Sequence, residues 1–336
     1  MKRSDGDFRA LIHKPDDLAT SLIQWAEKVQ AEPGIKFGVP SVDRKIIPLR
    51  PGTFAVVCAR PGHGKSSLLA VMAKREAASI TARGMEESEC VVFVTWETSA
   101  EALAAMFLTC EGLSISDIAW GKVDLNTLSY HAMRRVTSPI WVIGHGIGRA
   151  GKRVPRMTPE VVYQAIETMH EDYGRKPTLI LFDYIQIVPV QGFRDRVQQV
   201  TEVPFRLKEL ALRIGVPAVA ASQANRDVDG RREKIPELRD NLWASSVEQV
   251  ADLVLALWRP WQTKDDSALA KYDEFVEIRG TQFPITERLF VMRMLKQRGE
   301  AGRHTWALHF DMPYLKLAEL ESDAEEKCGA SRVWED

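Results

Sequence analysis

From Thr53 onward the chain alternates short, continuously apolar runs with longer stretches of helical periodicity. The runs are TFAVVCA (53–59), CVVFVTW (90–96), SPIWVIG (138–144), PTLILFDYIQIV (177–188), PAVAASQ (217–223), DLVLALW (252–258) and RLFVMRML (288–295). Several place Val, Ile, Leu and Phe on successive positions, so both faces need cover, as in a parallel strand held between helices. Between them SSLLAVMAKREAASITA (66–82), SAEALAAMFLTCEG (99–112), TPEVVYQAIETMHEDYG (158–174) and VTEVPFRLKELALRIG (200–215) carry the helical pattern. This alternation predicts an α/β fold built on one mostly parallel central sheet flanked by helices. HTWALHFD (304–311) and YLKLAEL (314–320) add a pair of edge strands, and two weakly patterned stretches, 144–157 and 259–286, read as loops or insertions.

The first 15 residues are polar and are expected to be mobile. DDLATSLIQWAEKVQ (16–30) then predicts a helix: Asp16 or Asp17 can cap it, and Leu18, Leu22, Trp25 and Val29 recur every three to four residues. Its apolar stripe needs a surface, either on its own domain or on a neighbouring subunit. The tail from 319 to 336 leans acidic and is expected to be disordered.

Composition narrows the function classes. Of 336 residues, 45% are apolar, enough to bury a full core, while the net charge of -1 supplies no overall basic field. Nucleic acid, if bound, must meet a local basic patch. The cysteines, Cys58, Cys90, Cys110 and Cys328, form no C-x-x-C pair and have no histidine cluster beside them. Zinc is therefore not expected; buried thiols in a reducing cytoplasm are. No stretch approaches the ~20 apolar residues that span a bilayer, and MKRSDGDFRALIHK at the start has no apolar run. The expectation is a soluble cytoplasmic protein.

Chemistry enters at ARPGHGKSS, comprising Ala59, Arg60, Pro61, Gly62, His63, Gly64, Lys65, Ser66 and Ser67. It lies between a buried strand and a helix, the order a phosphate cradle requires. Backbone N–H groups at Gly62 and Gly64 can face the phosphates of ATP, Lys65 can reach the β and γ oxygens, and the Ser66 hydroxyl can ligate Mg²⁺. The helix N-terminus adds partial positive charge. Ala59 stands where the common pattern has glycine, and His63 is expected to point outward and contribute only its backbone. Asp183 closes an apolar run, where a second carboxylate belongs to hold the metal's water shell. Glu97 closes another and can deprotonate the attacking water, although TSAEAL after it also suits a helix cap. Gln223 at the end of VAASQ can sense a γ-phosphate. Lys296 and Arg298 follow a strand at alternate positions; in isolation they read as a solvated basic turn.

Taken together, GVPSVDRKIIPLRPGTFAVVCARPGHGKSSL, FVTWETSAEAL, LFDYIQIV, ASQANR, SSVEQVADLVLALWR and LKQRGEAG, in that order over about residues 36–316, resemble the ATPase domain of DnaB-type replicative helicases, a RecA-like family. Family loops often read A-R-P-x-x-G-K-[ST], which makes Ala59 and Pro61 marks of the family. The resemblance implies that Lys65 and Ser66 bind phosphate and Mg²⁺, Asp183 is the second metal-side carboxylate, Glu97 is the catalytic base and Gln223 the γ-phosphate sensor. It implies that Lys296 and Arg298 complete a neighbour's site in a ring of six around single-stranded DNA. The expected organisation is a flexible N-terminus (1–15), a linker helix that docks on the adjacent subunit (16–34), a RecA-like P-loop NTPase domain (35–318) and the acidic tail (319–336).

Two departures shape the expected function. About 35 residues precede the ATPase domain, where the family carries a helical collar that receives primase, so a single-tier ring, or one closed or loaded by another protein, is expected. The family's D-L-R-E-S-G-S segment is here DNLWASS (240–246), which replaces Arg and Glu by Leu242 and Trp243. Trp243 can stack on a base or be buried. Arg194 and Arg196, with Arg226, Arg231, Arg232 and Lys234, are the other DNA-facing candidates, as phosphate-tracking cations on loops. The function implied is an ATP-driven motor that translocates on single-stranded DNA and unwinds duplex in replication. The alternative is a nucleotide-switched DNA-binding assembly or loading ATPase without processive unwinding. A metabolic kinase would have no use for Lys296, Arg298 and the SSVEQVADLVLALWR block.

Overall fold

The computed structural model describes residues 14–31, 34–108, 113–135, 138–146, 155–190, 192, 195–231, 233–241, 244–263, 274–299 and 302–320. The chain divides into two units, residues 1–35 and 36–336. The first holds α1 (Pro15–Ala31), with Asp16 and Asp17 in its first turn and Lys28 in its last, charges that suit the helix dipole. None of its residues is buried; Leu18, Leu22, Ile23 and Trp25 are each more than half exposed.

The second unit runs α2 (Pro40–Asp43), β1 (Phe54–Ala59), α3 (Lys65–Ala82), β2 (Glu89–Thr95), α4 (Ala100–Leu108), α5 (Ile115–Ala119), α6 (Leu125–Arg135), β3 (Ile140–Ile143), α7 (Pro159–Tyr173), β4 (Lys176–Asp183), α8 (Arg196–Ile214), β5 (Ala218–Gln223), α9 (Ala244–Val250), β6 (Leu253–Trp258), β7 (Phe275–Ile278), β8 (Thr281–Pro284), β9 (Leu289–Gln297), β10 (Thr305–Asp311) and β11 (Lys316–Glu319). Nine strands form one sheet in the order β11-β10-β9-β6-β1-β5-β4-β2-β3. The six from β6 to β3 are parallel, and β9, β10 and β11 extend one edge antiparallel. All six residues of β1 and of β6 are buried, as their unbroken apolar runs require. On one sheet face the core sets Val56, Val92, Ile180, Phe182 and Val254 among Val162, Ile166, Val203 and Leu207 of α7 and α8.

Two elements differ from expectation. The run 177–188 is not one strand: β4 stops at Asp183, and Ile185–Ile187 form a 3-10 turn. On one side the ladder ends there too, β2 stopping at Thr95 opposite Asp183, while β5 on the other side runs on to Gln223. A longer β4 would have no partner on its β2 side, and Ile185 and Val188 instead bury their side chains in the core. The stretch 259–286 is not loop throughout. It carries the hairpin β7–β8, whose residues alternate between exposed and buried, around Arg279 (φ 55°) and Gly280 (φ 82°). Two successive positive φ angles are the signature of a tight primed turn. α6 is an amphipathic helix whose entry is capped by Asp124, which accepts from the N–H groups of Asn126 and Thr127.

Cys58 and Cys90 are buried and unpaired, while Cys110 and Cys328 lie outside the described residues. Among the described residues no helix is long and apolar enough to cross a membrane, and no group of three His, Cys, Asp or Glu is placed to hold a metal ion.

Candidate active site

The carboxyl ends of β1, β5, β4 and β2 lie side by side, and each delivers one candidate residue. The loop after β1 turns on Gly62 (φ 78°) and Gly64 (φ 84°). Both conformations favour glycine, and at Gly64 a Cβ would also come within 3.3 Å of the Phe290 ring and 3.4 Å of Met312 Sδ. Gly64 is the N-cap of α3 and offers no side-chain cap, which leaves the first-turn N–H groups of the helix for an anion.

Lys65 opens α3 and folds back over the loop. Its Nζ donates to the carbonyls of Ala59 at 3.2 Å and Arg60 at 3.1 Å. Burial pulls its ammonium below the ordinary value, against the opposing pull of Cys58, Asp183 and Glu97. The Ser66 hydroxyl bonds the Asp183 carboxylate, so the two proposed metal-side groups stand together. Asp183 is buried at the tip of β4, which pushes its carboxyl up; the bond from Ser66 and the charge of Lys65 work the other way. A divalent cation beside Ser66 and Asp183 fits this environment, because it would favour the ionised carboxylate that burial alone disfavours. Glu97 lies in the bend after β2, exposed, and its charge is felt at Asp183, Tyr184 and Lys65. Gln223 ends β5 directly beside Ala59 of β1.

The structure corrects the expectation for His63. Its side chain does not point outward: the residue is 5% exposed, and Nδ1 accepts a hydrogen bond from the Arg259 backbone N–H at 2.9 Å. Burial first, and then the charge of Lys65, lower its pKa to about 4. The loop is held inward at this point by a neighbouring strand end. Arg60 also looks away from the phosphate position. It pairs with Asp229 through Nε at 3.0 Å and Nη2 at 2.8 Å, and donates to the Ala224 carbonyl.

Sequence reasoning missed the supporting residues. Gln186, in the 3-10 turn after Asp183, donates Nε2 to Ser222 Oγ at 2.8 Å, and Ser222 donates to Asn241 Oδ1 at 2.5 Å. This relay ties the tips of β4 and β5 to the segment before α9. Gln186 was visible only as a polar letter inside the apolar run IQIV.

Lys296 and Arg298 stand elsewhere. β9 runs antiparallel to β6, pairing Val291 with Trp258 and Gln297 with Leu253. The pair therefore lies at the opposite end of the strands from the chain's own phosphate loop, with five residues of β6, about 17 Å of strand, between the two ends. Both side chains turn to the α9–β6 junction. Lys296 Nζ donates to the carbonyls of Glu248 and Ala251, and Arg298 pairs with Asp252 at 3.3 Å with its side chain 63% exposed.

The DNA-facing candidates separate. Arg226 is exposed in the turn Arg226–Gly230. Arg231 is committed to Asp240 by two bonds of 2.6 Å, and Lys234 is buried, so neither offers a free cation to a phosphate. Arg196 opens α8, while Arg194, Arg232 and Trp243 lie outside the described residues.

The family model described as "DnaB-like helicase C terminal domain" matches residues 34–317. The replicative DNA helicase DnaB of Rickettsia bellii is 27% identical over 304 residues, covering 86% of this chain and 58% of that protein. The protein of the same name from Pasteurella multocida is 27% identical over 263 residues, covering 74% and 51%. The chain thus spans little more than half the length of these relatives. Among solved structures, the ATPase domain of G40P superposes with a TM-score of 0.70 at 20% identity, covering 92% of this chain and all of that one. A DnaB-like replicative helicase studied with primase gives 0.67 at 20% identity, covering 92% and 68%. These likenesses show the fold alone: a mostly parallel sheet flanked by helices, shared with those two structures.

Proposed function

The chain belongs to the family of DnaB-like helicase C-terminal domains, and on that premise we propose that it is an ATP-hydrolysing ring motor that binds single-stranded DNA and unwinds duplex in replication. The observation that carries this reading is the division of the catalytic set between the two ends of the sheet's strands. Lys65, Ser66, Asp183, Glu97 and Gln223 converge at one, and Lys296 and Arg298 stand at the other. A site completed by Arg298 must then borrow it from a second copy, and repeating that head-to-tail contact generates a ring, taken here as six subunits.

In this reading Lys65 leaves the Ala59 and Arg60 carbonyls to meet the β and γ phosphates. Ser66 and Asp183 hold Mg²⁺, which when bound neutralises charge on the phosphates. Glu97 accepts the proton of the attacking water at its exposed carboxylate. Gln223 registers the γ-phosphate, and Arg298 of the next subunit stabilises charge on the transferring group. The exposed stripe of α1 finds its surface on that neighbour. Among the described DNA-facing candidates, Arg226 is the exposed loop cation that can meet a DNA phosphate.

A second reading, a nucleotide-switched DNA-binding assembly, draws on Asp240–Ser246, where the family's Arg and Glu are Leu242 and Trp243. ATPase assays with and without single-stranded DNA, followed by strand separation on a forked duplex, decide between them. The motor reading expects DNA-stimulated hydrolysis and unwinding together; stimulated hydrolysis with no unwinding leaves the switch.

A further inference from the structure

His63 occupies the middle of the phosphate loop, and its hydrogen bond leaves the strand–loop–helix unit altogether. The donor, the backbone N–H of Arg259 at 2.9 Å, belongs to the first residue past β6. Arg259 also stands at the neck of the 260–286 excursion. Its guanidinium donates from Nε and Nη2 to the Glu287 carbonyl at 3.2 and 3.1 Å, fastening the excursion's exit to its entry. Gln262 follows in the 3-10 turn Pro260–Thr263, with its side-chain Cγ, Cδ and Nε2 only 3.5 to 3.6 Å from where a Cβ on Gly62 would stand. The loop is thus hydrogen-bonded at His63, and closely lined at Gly62, by one short segment of β6's exit. The brace at 63 requires an unprotonated ring nitrogen, because an N–H at Nδ1 could not accept. Burial keeps the imidazole in that form.

We propose that His63 is a positioning residue of the nucleotide site: by accepting the Arg259 N–H it fastens the phosphate loop to the neck of the 260–286 excursion and presets the loop for nucleotide. This rests on the reading of the loop as the ATP site. A loop already held in its binding shape gives up less conformational freedom when phosphate arrives, so the brace acts on affinity. A histidine that merely filled the core would instead affect unfolding and leave affinity alone.

The test uses the full chain and a fluorescent ADP, mant-ADP, with thermal unfolding run on each variant. H63L fills the space without an acceptor; H63N places Oδ1 near the position of Nδ1 and keeps one. Loss of one buried hydrogen bond predicts that H63L raises the mant-ADP Kd, and the KM for ATP with it, about tenfold, while the effect on kcat is much smaller. H63N is expected to return both to within about twofold of wild type. H63L that unfolds like wild type and binds mant-ADP equally well overturns the proposal, as does H63N that binds as weakly as H63L. If H63L does not fold, H63N alone decides: wild-type affinity supports the brace, and a tenfold loss overturns it. Wild-type protein that fails to bind mant-ADP removes the ATP-site reading itself, and the proposal with it; wild-type binding with an indifferent H63L removes only the brace.

Discussion

Replacing Arg231 by alanine separates fold from DNA binding. Asp240 is 2% exposed, and its two oxygens take Arg231 Nη1 and Nη2 at 2.6 Å each; Oδ2 also accepts the Glu237 N–H at 2.7 Å. Burial alone would push the Asp240 carboxyl up, but Arg231 and the Glu237 N–H more than offset it and hold the group below its ordinary 3.8. In R231A the carboxylate keeps that amide and loses its counter-ion. Removing one partner of a buried pair costs about 3–5 kcal/mol. The Arg231 side chain is 27% exposed, so water screens the pair, and the expected loss is about 2–3 kcal/mol. Urea unfolding at pH 7 reads it as a lowered midpoint. A depressed carboxyl contributes stability above its unfolded value and loses it as pH falls through the folded value. The gap between wild type and R231A should therefore narrow below pH 3.8. In a double-mutant cycle, D240N should absorb part of the R231A loss, because an amide needs no counter-ion. A midpoint within error of wild type at pH 7, or a gap that does not change on acidification, would refute this assignment.

Three further outcomes follow from the same geometry. Glu97→Gln should bind mant-ADP normally yet slow hydrolysis by about 100-fold or more; an undiminished kcat would exclude Glu97 as the base. His63 titrates near 4 when folded against 6.5 ordinarily, so the folded state binds fewer protons across that window. Its contribution is complete above pH 6.5 and falls on acidification, by up to about 3 kcal/mol at pH 4; H63N should flatten this slope, and an unchanged slope would contradict it. Arg226→Ala should weaken single-stranded DNA binding evenly across sequences and lower the salt slope by about 0.7, whereas R231A should leave that slope unchanged at matched folded fraction.

The sheet was legible in the sequence because strands covered on both faces announce themselves as unbroken apolar runs. Asp183, Glu97 and Gln223 were legible because each ends such a run. What stayed hidden depended on partners distant in sequence. The run at 177–188 looks uniform, and only the end of β2 and the core that takes up Ile185 and Val188 mark the stop of β4 at Asp183. The hairpin β7–β8 turns on Arg279–Gly280, a pair without the usual Asn or Asp at its first position, so its alternation carried too little weight alone. His63 was misjudged because its direction is set by a backbone donor 196 residues away. Arg231 and Arg226 are chemically alike in sequence, and only the buried Asp240 tells them apart.

The account depends most on an ATP site completed by Arg298 from another subunit. Mixing K65A with R298A subunits tests this directly by steady-state ATPase. Each variant alone should be nearly inactive, since every interface lacks one half of the site. A random equal mixture should regain activity, because about a quarter of head-to-tail interfaces then join an intact Lys65 to an intact Arg298. A mixture that never exceeds either variant alone would contradict the shared site.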